Sequence, residues 1–423
     1  MADPVRERVP KILEALDAGV LVGKALSVGP RPGALNISGR SWLRSPTRVW
    51  VAGAGKQADI MVDAALARLG ELGVEAERGP VAAHGGHPIP DRRSLQNGRD
   101  LLAWAEQRTR DEAVLWCIGG GASALAVLPV AGVGLPELGE LWRVMDIAGW
   151  PIQKRNLLRR SLSQIKGGRL ATACKARQAT LLMSDVIDGL LDDIGSGLTV
   201  PSALERSEAM TALHRLDLSQ DLQTRLVDAI KRAPRPGLAG GTPFDHTVVA
   251  RLADPAWARH RASSMLEDEG FECRERLEPL VGPIEDCANA LGSELLQMVE
   301  TARFFNRSLA YCACGEASVS LSSDAPPGGR NTHLALLLSR VLDGCDGLDV
   351  LCLATDGCDG ASGGGGAVVD GSAWQRLRES GRDPDRDVRE QRAAEALASI
   401  GALIPESPSR NNLADLVIAT IIP

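Results

Sequence analysis

Short apolar runs alternate with amphipathic stretches along the whole chain. Residues 47–53 (TRVWVAG), 113–118 (AVLWCI) and 178–184 (QATLLMS) are apolar runs of strand length. Such runs, bounded by glycine or a polar residue, are the pattern of strands buried on both faces. Glycines or an aspartate close each run. A helical repeat then follows, over 56–70 after the first run and from Ala122 after the second. This rhythm predicts a parallel, doubly wound, Rossmann-like sheet, in which ligands bind beyond the carboxyl ends of the strands. A Pro- and Gly-rich break at 233–244 (APRPGLAGGTPF) predicts a linker or long loop. A second α/β series follows, with strands expected at 246–251, 308–314, 316–321 and 349–354 and helices at 254–269, 283–304 and 332–343. The predicted fold class is α/β in two domains, residues 1–238 and a smaller unit, residues 239–423.

Composition narrows the picture. At 423 residues the chain is too long for one ordinary core. Aromatics make up only 3%, so Val, Leu, Ile and Ala must fill the interior. The net charge of −7 argues against duplex nucleic acid or an anionic membrane as partner, since both call for a basic face. No run of about 18 apolar residues indicates a membrane span. The charged opening, Met1 to Glu7, lacks a signal-peptide segment, and a cytoplasmic location is expected. The nine cysteines form no CxxC pair and read as reduced, buried thiols.

Chemistry concentrates in glycine-rich turns. Gly53-Ala54-Gly55-Lys56-Gln57-Ala58 joins a strand to a helix, where backbone N–H groups, the helix dipole and Lys56 can meet an anion. The same residues fit a dinucleotide fingerprint, G-x-G-x-x-A, with Glu75 or Glu77 as its distal acid, and a plain structural turn is the third reading. Gly119-Gly120-Gly121-Ala122-Ser123 has more glycine than a tight turn needs and suits an oxyanion or phosphate. Between Lys154 and Arg169 lie six basic residues beside Gly167-Gly168, a candidate anion site or a solvated helix face. Ser184-Asp185, followed by Asp188, Asp192, Asp193 and Ser196, offers hard oxygen ligands for Mg²⁺, a base, or simple helix caps. Gly328-Gly329-Arg330-Asn331 opens a helix with an arginine suited to bidentate contact with carboxylate or phosphate. Thr355-Asp356-Gly357-Cys358-Asp359-Gly360 directly follows a strand. Its Asp–Gly pairs read either as ordinary turns or as site residues. His87 and His333 read as structural.

Taken in order from about Lys56 to Asp415, these motifs resemble the glycerate 2-kinases that carry a C-terminal MOFRL domain (the DUF4147/MOFRL type). The lysine loop is matched by Gly53 to Met61, HPxPD by His87 to Asp91, and the glycine loop by Gly119 to Leu125. Asn156 to Ala171, Ser184 to Thr199, Gly315-Glu316, Gly328 to Asn331 and Thr355 to Gly360 continue the series. The chain departs from the family pattern at Gly119, Ile187-Asp188-Gly189, Leu198, Gly363 and most of Glu406 to Asn412.

The resemblance implies transfer of the γ-phosphoryl group of ATP to the 2-hydroxyl of D-glycerate, with the active site in the cleft between the two domains. It implies catalytic roles for Lys56 and Arg330, and for Asp185 in binding Mg²⁺ or orienting the hydroxyl. Gly53, Gly55, Gly119, Gly120, Gly121, Ser123, Lys166, Gly167, Asp356 and Asp359 are expected around ATP. Asn156, Arg159, Ser184, Asn331 and Asn412 are expected around the hydroxy acid, and Asp185 and Asp193 at Mg²⁺. The alternatives are an NAD(P)-dependent hydroxypyruvate reductase, or a divergent member that acts on another small hydroxylated substrate or only binds it. Oligomeric state is open, a homodimer included.

Overall fold

The computed structural model describes residues 5–45, 47–186, 189–202, 205–233, 247–322, 325–407 and 411–423. Nearly all of the expected linker, and the expected boundary at 238/239, lie outside these residues. The chain packs as two compact units, Ala18–Leu252 and a second made of Ala253–Pro423 together with the N-terminal segment up to Asp17.

The first unit begins with three short antiparallel strands, β1 (Leu26–Val28), β2 (Leu35–Ile37) and β3 (Arg40–Leu43). Its main sheet contains β4 (Val49–Ala54), β5 (Ala76–Ala82), β6 (Ala113–Ile118), β7 (Arg177–Met183) and β8 (Val248–Ala253), in the order β5-β4-β6-β7-β8. The β5-β4, β4-β6 and β6-β7 pairs are parallel, as the apolar runs predict. All six residues of β6 are buried, which requires apolar side chains on both faces. Its one polar side-chain group, the Trp116 indole N–H, donates to Gln178 Oε1 on β7 at 2.8 Å. Register aligns the carboxyl ends, with Gly53 opposite Cys117, and Cys117 opposite Leu181. The turns after β4, β6 and β7 are therefore level with one another.

The second unit has a six-stranded sheet built from β9 (Glu272–Glu275), β10 (Leu309–Gly315), β11 (Leu348–Ala354), β12 (Gly364–Asp370), β13 (Leu403–Pro405) and β14 (Asp415–Ile421). Its order is β13-β12-β11-β14-β10-β9. Only β9 and β10 pair in parallel; the other pairs are antiparallel. The expected helices occur at Pro255–Asp268, Ile284–Phe305 and Arg330–Val341. The expected strand at 316–321 is not one. The chain turns at Gly315 (φ +156°) and contributes only a single bridge, between Ser318 and Pro283.

Two boundaries differ from the sequence expectation. The strand expected at 246–251 is β8, at the edge of the first sheet, so the first unit runs on to Leu252. Residues up to Asp17, expected in the first unit, belong to the second. Arg8 pairs with Glu269 at 2.6 Å and lies 5.4 Å from the Phe271 ring centroid, while the Asn411 amide donates to the Leu13 carbonyl. Ile12 and Leu16 are buried. No helix among the described residues is long and apolar enough to cross a membrane. If Leu16 belongs to the folded core, Leu16→Ala costs about 2–5 kcal/mol of stability in denaturant unfolding; an unchanged midpoint contradicts this packing.

Candidate functional site

In the first unit the level strand ends bring three turns together. Gly55 (φ +124°) passes so close to the next turn that a Cβ there would lie 2.6 Å from the Gly119 carbonyl oxygen. Only glycine fits both that angle and that space. Lys56 N–H donates to Gly120 O at 2.9 Å, and Gly119 N–H to Ala54 O at 2.9 Å, which pins the two turns together. Lys56 itself is exposed. The Gly120 and Gly121 N–H groups have no hydrogen-bond partner among the described residues. A Cβ at Gly121 would meet Lys56 Cγ and His87 Cδ2 at 3.3 Å each, so these side chains flank the turn.

Positive charge accumulates nearby. Lys166 is buried, and its ammonium donates to the Ala126 carbonyl at 2.6 Å. Burial, and then the Arg159 charge, push its pKa down to about 7. The Arg159 guanidinium stacks 4.3 Å from the Trp142 ring centroid, and burial followed by Arg155 lowers its pKa to about 10. Partial burial, Lys56 and Arg159 lower the pKa of His87. Neither Arg159 nor Lys166 has a carboxylate at ion-pair distance among the described residues. His87, read as structural from sequence, belongs to this group. Its motif was visible, but its approach to Lys56 depends on the fold.

Several expected ligand residues are instead spent on scaffold. Asn156, fully buried, donates to Asp193 Oδ1 at 3.0 Å and accepts from Ser196 Oγ at 2.9 Å. Ser196 (φ +55°) sits between Gly195 and Gly197, both also at positive φ, and shares a 2.7 Å hydrogen bond with Ser123. The Asn156 and Ser123 contacts hold this unusual backbone. Asp193, expected at Mg²⁺, pairs with Arg160 at 2.9 Å, and its other oxygen accepts from Leu190 N–H. With both oxygens so occupied it is an ion-pair anchor. The Gly167 N–H, expected at phosphate, donates to the Ser196 carbonyl. Ser184 Oγ accepts from Val186 N–H at 3.0 Å in a local turn. Asp185, at the end of β7, is partly exposed. Asp188, Pro408, Ser409 and Arg410 lie outside the described residues.

In the second unit a cavity of about 1060 Å³ is lined by Glu316, Arg330, His333, Asp356, Asn412 and Asp415, among others. Register explains the cluster: Asp415 starts β14 opposite both Gly315 and Ala354, the ends of β10 and β11. Arg330 Nε lies 3.0 Å from Asp415 Oδ2, and Nη2 donates to Glu316 Oε1 at 3.2 Å. Asp359, expected at ATP, is buried and accepts from the Asn331 and Thr332 N–H groups at 2.9 and 2.8 Å. It thereby satisfies two of the first amides of the helix Arg330–Val341. Asn331, expected at the hydroxy acid, is also buried and bridges Asp359 and Asp415 through Nδ2. Asp356 stays at the cavity wall and accepts from Cys358 N–H. Burial pushes Asp415 up to about 7, despite the opposing pull of Arg330. Asp415 carries no motif signal, and Glu316 only that of a Gly-Glu turn.

The dinucleotide reading needs an acid at the carboxyl end of β5, beside the first glycine turn. Glu77 pairs in register with Trp50, near the amino end of β4, and accepts from Arg48 Nε at 2.7 Å. Glu75 precedes β5 altogether. Both candidates are at the wrong end.

Because Lys166 holds its proton less tightly in the folded chain than its ordinary 10.5, its charge becomes a penalty as pH falls from about 10 to 7. The stability of Lys166→Met relative to wild type therefore rises over that interval, as read by thermal denaturation; a constant difference contradicts the buried-cation account.

Residues 5–231 match the family described as a domain of unknown function (DUF4147), and residues 309–415 match the MOFRL family. A D-glycerate 2-kinase of Thermotoga maritima is 29% identical over 80% of this chain and 79% of its own length. An Agrobacterium vitis protein with the provisional name of hydroxypyruvate reductase is 30% identical over 87% of this chain and 86% of its own. The crystal structure of a Thermotoga maritima glycerate kinase superposes with a TM-score of 0.80 at 26% identity, covering 99% of this chain and 98% of that one. These matches run through the same turns that gather charge and free amides here, and the chain belongs to the glycerate 2-kinase family of alcohol-acceptor phosphotransferases.

Proposed function

We propose that this protein transfers the γ-phosphoryl group of ATP to a hydroxyl of a small hydroxy acid, converting D-glycerate to 2-phosphoglycerate. The observation that carries this reading is positive charge beside open glycine amides: Lys56 flanks the turn that carries the Gly120 and Gly121 N–H groups, His87 flanks it too, and Arg159 acts on both His87 and the buried Lys166. Phosphoryl transfer needs little covalent help from the protein. It needs fixed donors and cations aimed at oxygens whose charge develops in the transition state.

In this reading the glycine amides hold phosphate oxygens, and Lys56 stabilises charge on the transferred group. Arg330 serves a phosphate or the substrate carboxylate through Nη1, which has no partner among the described residues. Arg159 attracts the hydroxy acid carboxylate. Mg²⁺ is commonly held by one or two carboxylates plus phosphate oxygens, so a complete protein cage is not required. Asp185, at a strand end and partly exposed, fits that modest requirement, and the ion would neutralise charge between the terminal phosphates. A role of Asp185 in orienting the hydroxyl is compatible with the same position.

The reductase reading draws on the Agrobacterium vitis relative and the G-x-G-x-x-A turn, and the misplaced acids weigh against it. ADP release and phosphorus NMR across small hydroxy acids, paired with NADH titration, separate the readings. The kinase account expects ADP and a phosphorylated 2-hydroxyl from D-glycerate, with no tight NADH binding. NADH binding without ADP release overturns it, and ligand binding with neither leaves a binding protein. Lys56→Ala and Arg330→Ala should each lower turnover by about 10²-fold or more; near-wild-type rates in both contradict their roles.

A further inference from the structure

We propose that Asp415 is the positioning residue for Arg330, holding the guanidinium through Nε so that Nη1 is presented to the substrate anion. The inference rests on the reading of Arg330 given above, and it adds a residue to which no motif points.

The geometry is specific. Strand register sets Asp415 level with the ends of β10 and β11, at the wall of the cavity that Arg330 also lines. Its Oδ2 lies 3.0 Å from Arg330 Nε, and its Oδ1 accepts from Asn331 Nδ2 at 2.9 Å. Asn331 is fixed in turn by Asp359, which also caps the helix that carries Arg330. The carboxylate is thus tied to the same helix on two successive residues. Glu316, the other partner, is exposed and reaches only Nη2, at 3.2 Å. A contact through Nε from a carboxylate only 14% exposed and hydrogen-bonded restrains a guanidinium more than an exposed one does.

The charged and titratable groups around Asp415 are Arg330 on the helix, Glu316 after β10, Asp359 after β11, and Cys352 within β11, whose thiol is pushed far up by burial. Arg330 favours the Asp415 carboxylate; burial, Glu316 and Asp359 oppose it. The balance leaves Asp415 with a pKa of about 7, raised from an ordinary 3.8. Below that pH the carboxyl is neutral and the ion pair to Arg330 is lost; above it the pair is formed. The raised value also means that ionised Asp415 is a folding penalty, which grows as pH rises from about 4 to 7.

The test compares wild type, Asp415→Asn, Asp415→Glu and Glu316→Gln over pH 5.5–8.5 with Mg-ATP and D-glycerate. The inference expects an acidic limb near pH 7 in wild-type kcat. It expects that limb to vanish in Asp415→Asn, with kcat lowered about 10-fold or more and KM for the hydroxy acid changed by less than about threefold. Asp415→Glu should restore part of the rate and the limb. Glu316→Gln should keep the limb and lose less than about threefold. Thermal denaturation supplies the readout independent of activity: Asp415→Asn gains stability relative to wild type as pH rises from 5 to 8. If Asp415→Asn keeps wild-type kcat and limb while Arg330→Ala is impaired, the positioning role is overturned and the kinase reading stands. If Asp415→Asn does not fold, the wild-type and Asp415→Glu profiles decide, and absence of the limb in both overturns the role. Absence of ADP release by wild type removes the kinase reading and this inference with it.

Discussion

Positive charge taken out of water without a counter-ion is costly, and a fold that retains it must gain something in return. In the first unit the cost is visible in Lys166 and Arg159, both pushed below their ordinary pKa values by burial and by other cations. Neither forms an ion pair with a carboxylate among the described residues, although Asp146 offsets part of the Arg159 charge. An arriving phosphate or carboxylate supplies the missing charge. The arrangement is thus primed for anions, and the open amides of Gly120 and Gly121 give direction to what the cations attract.

The second unit solves the opposite problem. Glu316, Asp356, Asp359 and Asp415 border or underlie one cavity, and Arg330 is its principal cation. Asp359 accepts hydrogen bonds from helix amides, while Asp415 pairs with Arg330 and accepts from Asn331. One unit therefore offers fixed cations, and the other offers a cation whose orientation depends on a carboxylate able to titrate.

Much of this was legible in the sequence. The apolar runs of β4, β6 and β7 and the glycines after them predict a parallel sheet and its ligand-binding edge, because the helical repeats between the runs supply the crossovers that parallel pairing needs. Lys56 and Arg330 were marked by glycines beside them. What the sequence hid depends on contacts distant in the chain. Asp193 and Asn156 looked like ligands, yet they fasten the Gly195–Gly197 turn to the helix Ile152–Ser161. Asp359 borders a cavity, and it also caps a helix 28 residues earlier in the chain, which its motif did not show. Asp415 opens a strand with no turn signal, and only strand register brings it to Arg330. The antiparallel pairing of the second sheet was likewise hidden, since apolar runs report burial rather than direction.

The account requires Lys56 and Arg330 both to serve phosphoryl transfer and to act as a unit in it. A double-mutant cycle on kcat/KM for D-glycerate with Mg-ATP tests this directly. Residues that act as a unit on one transition state give a double variant, Lys56→Ala with Arg330→Ala, about as impaired as the worse single variant, well short of the product of the two losses. Fully multiplicative losses would show that the two residues contribute independently and contradict their acting as a unit.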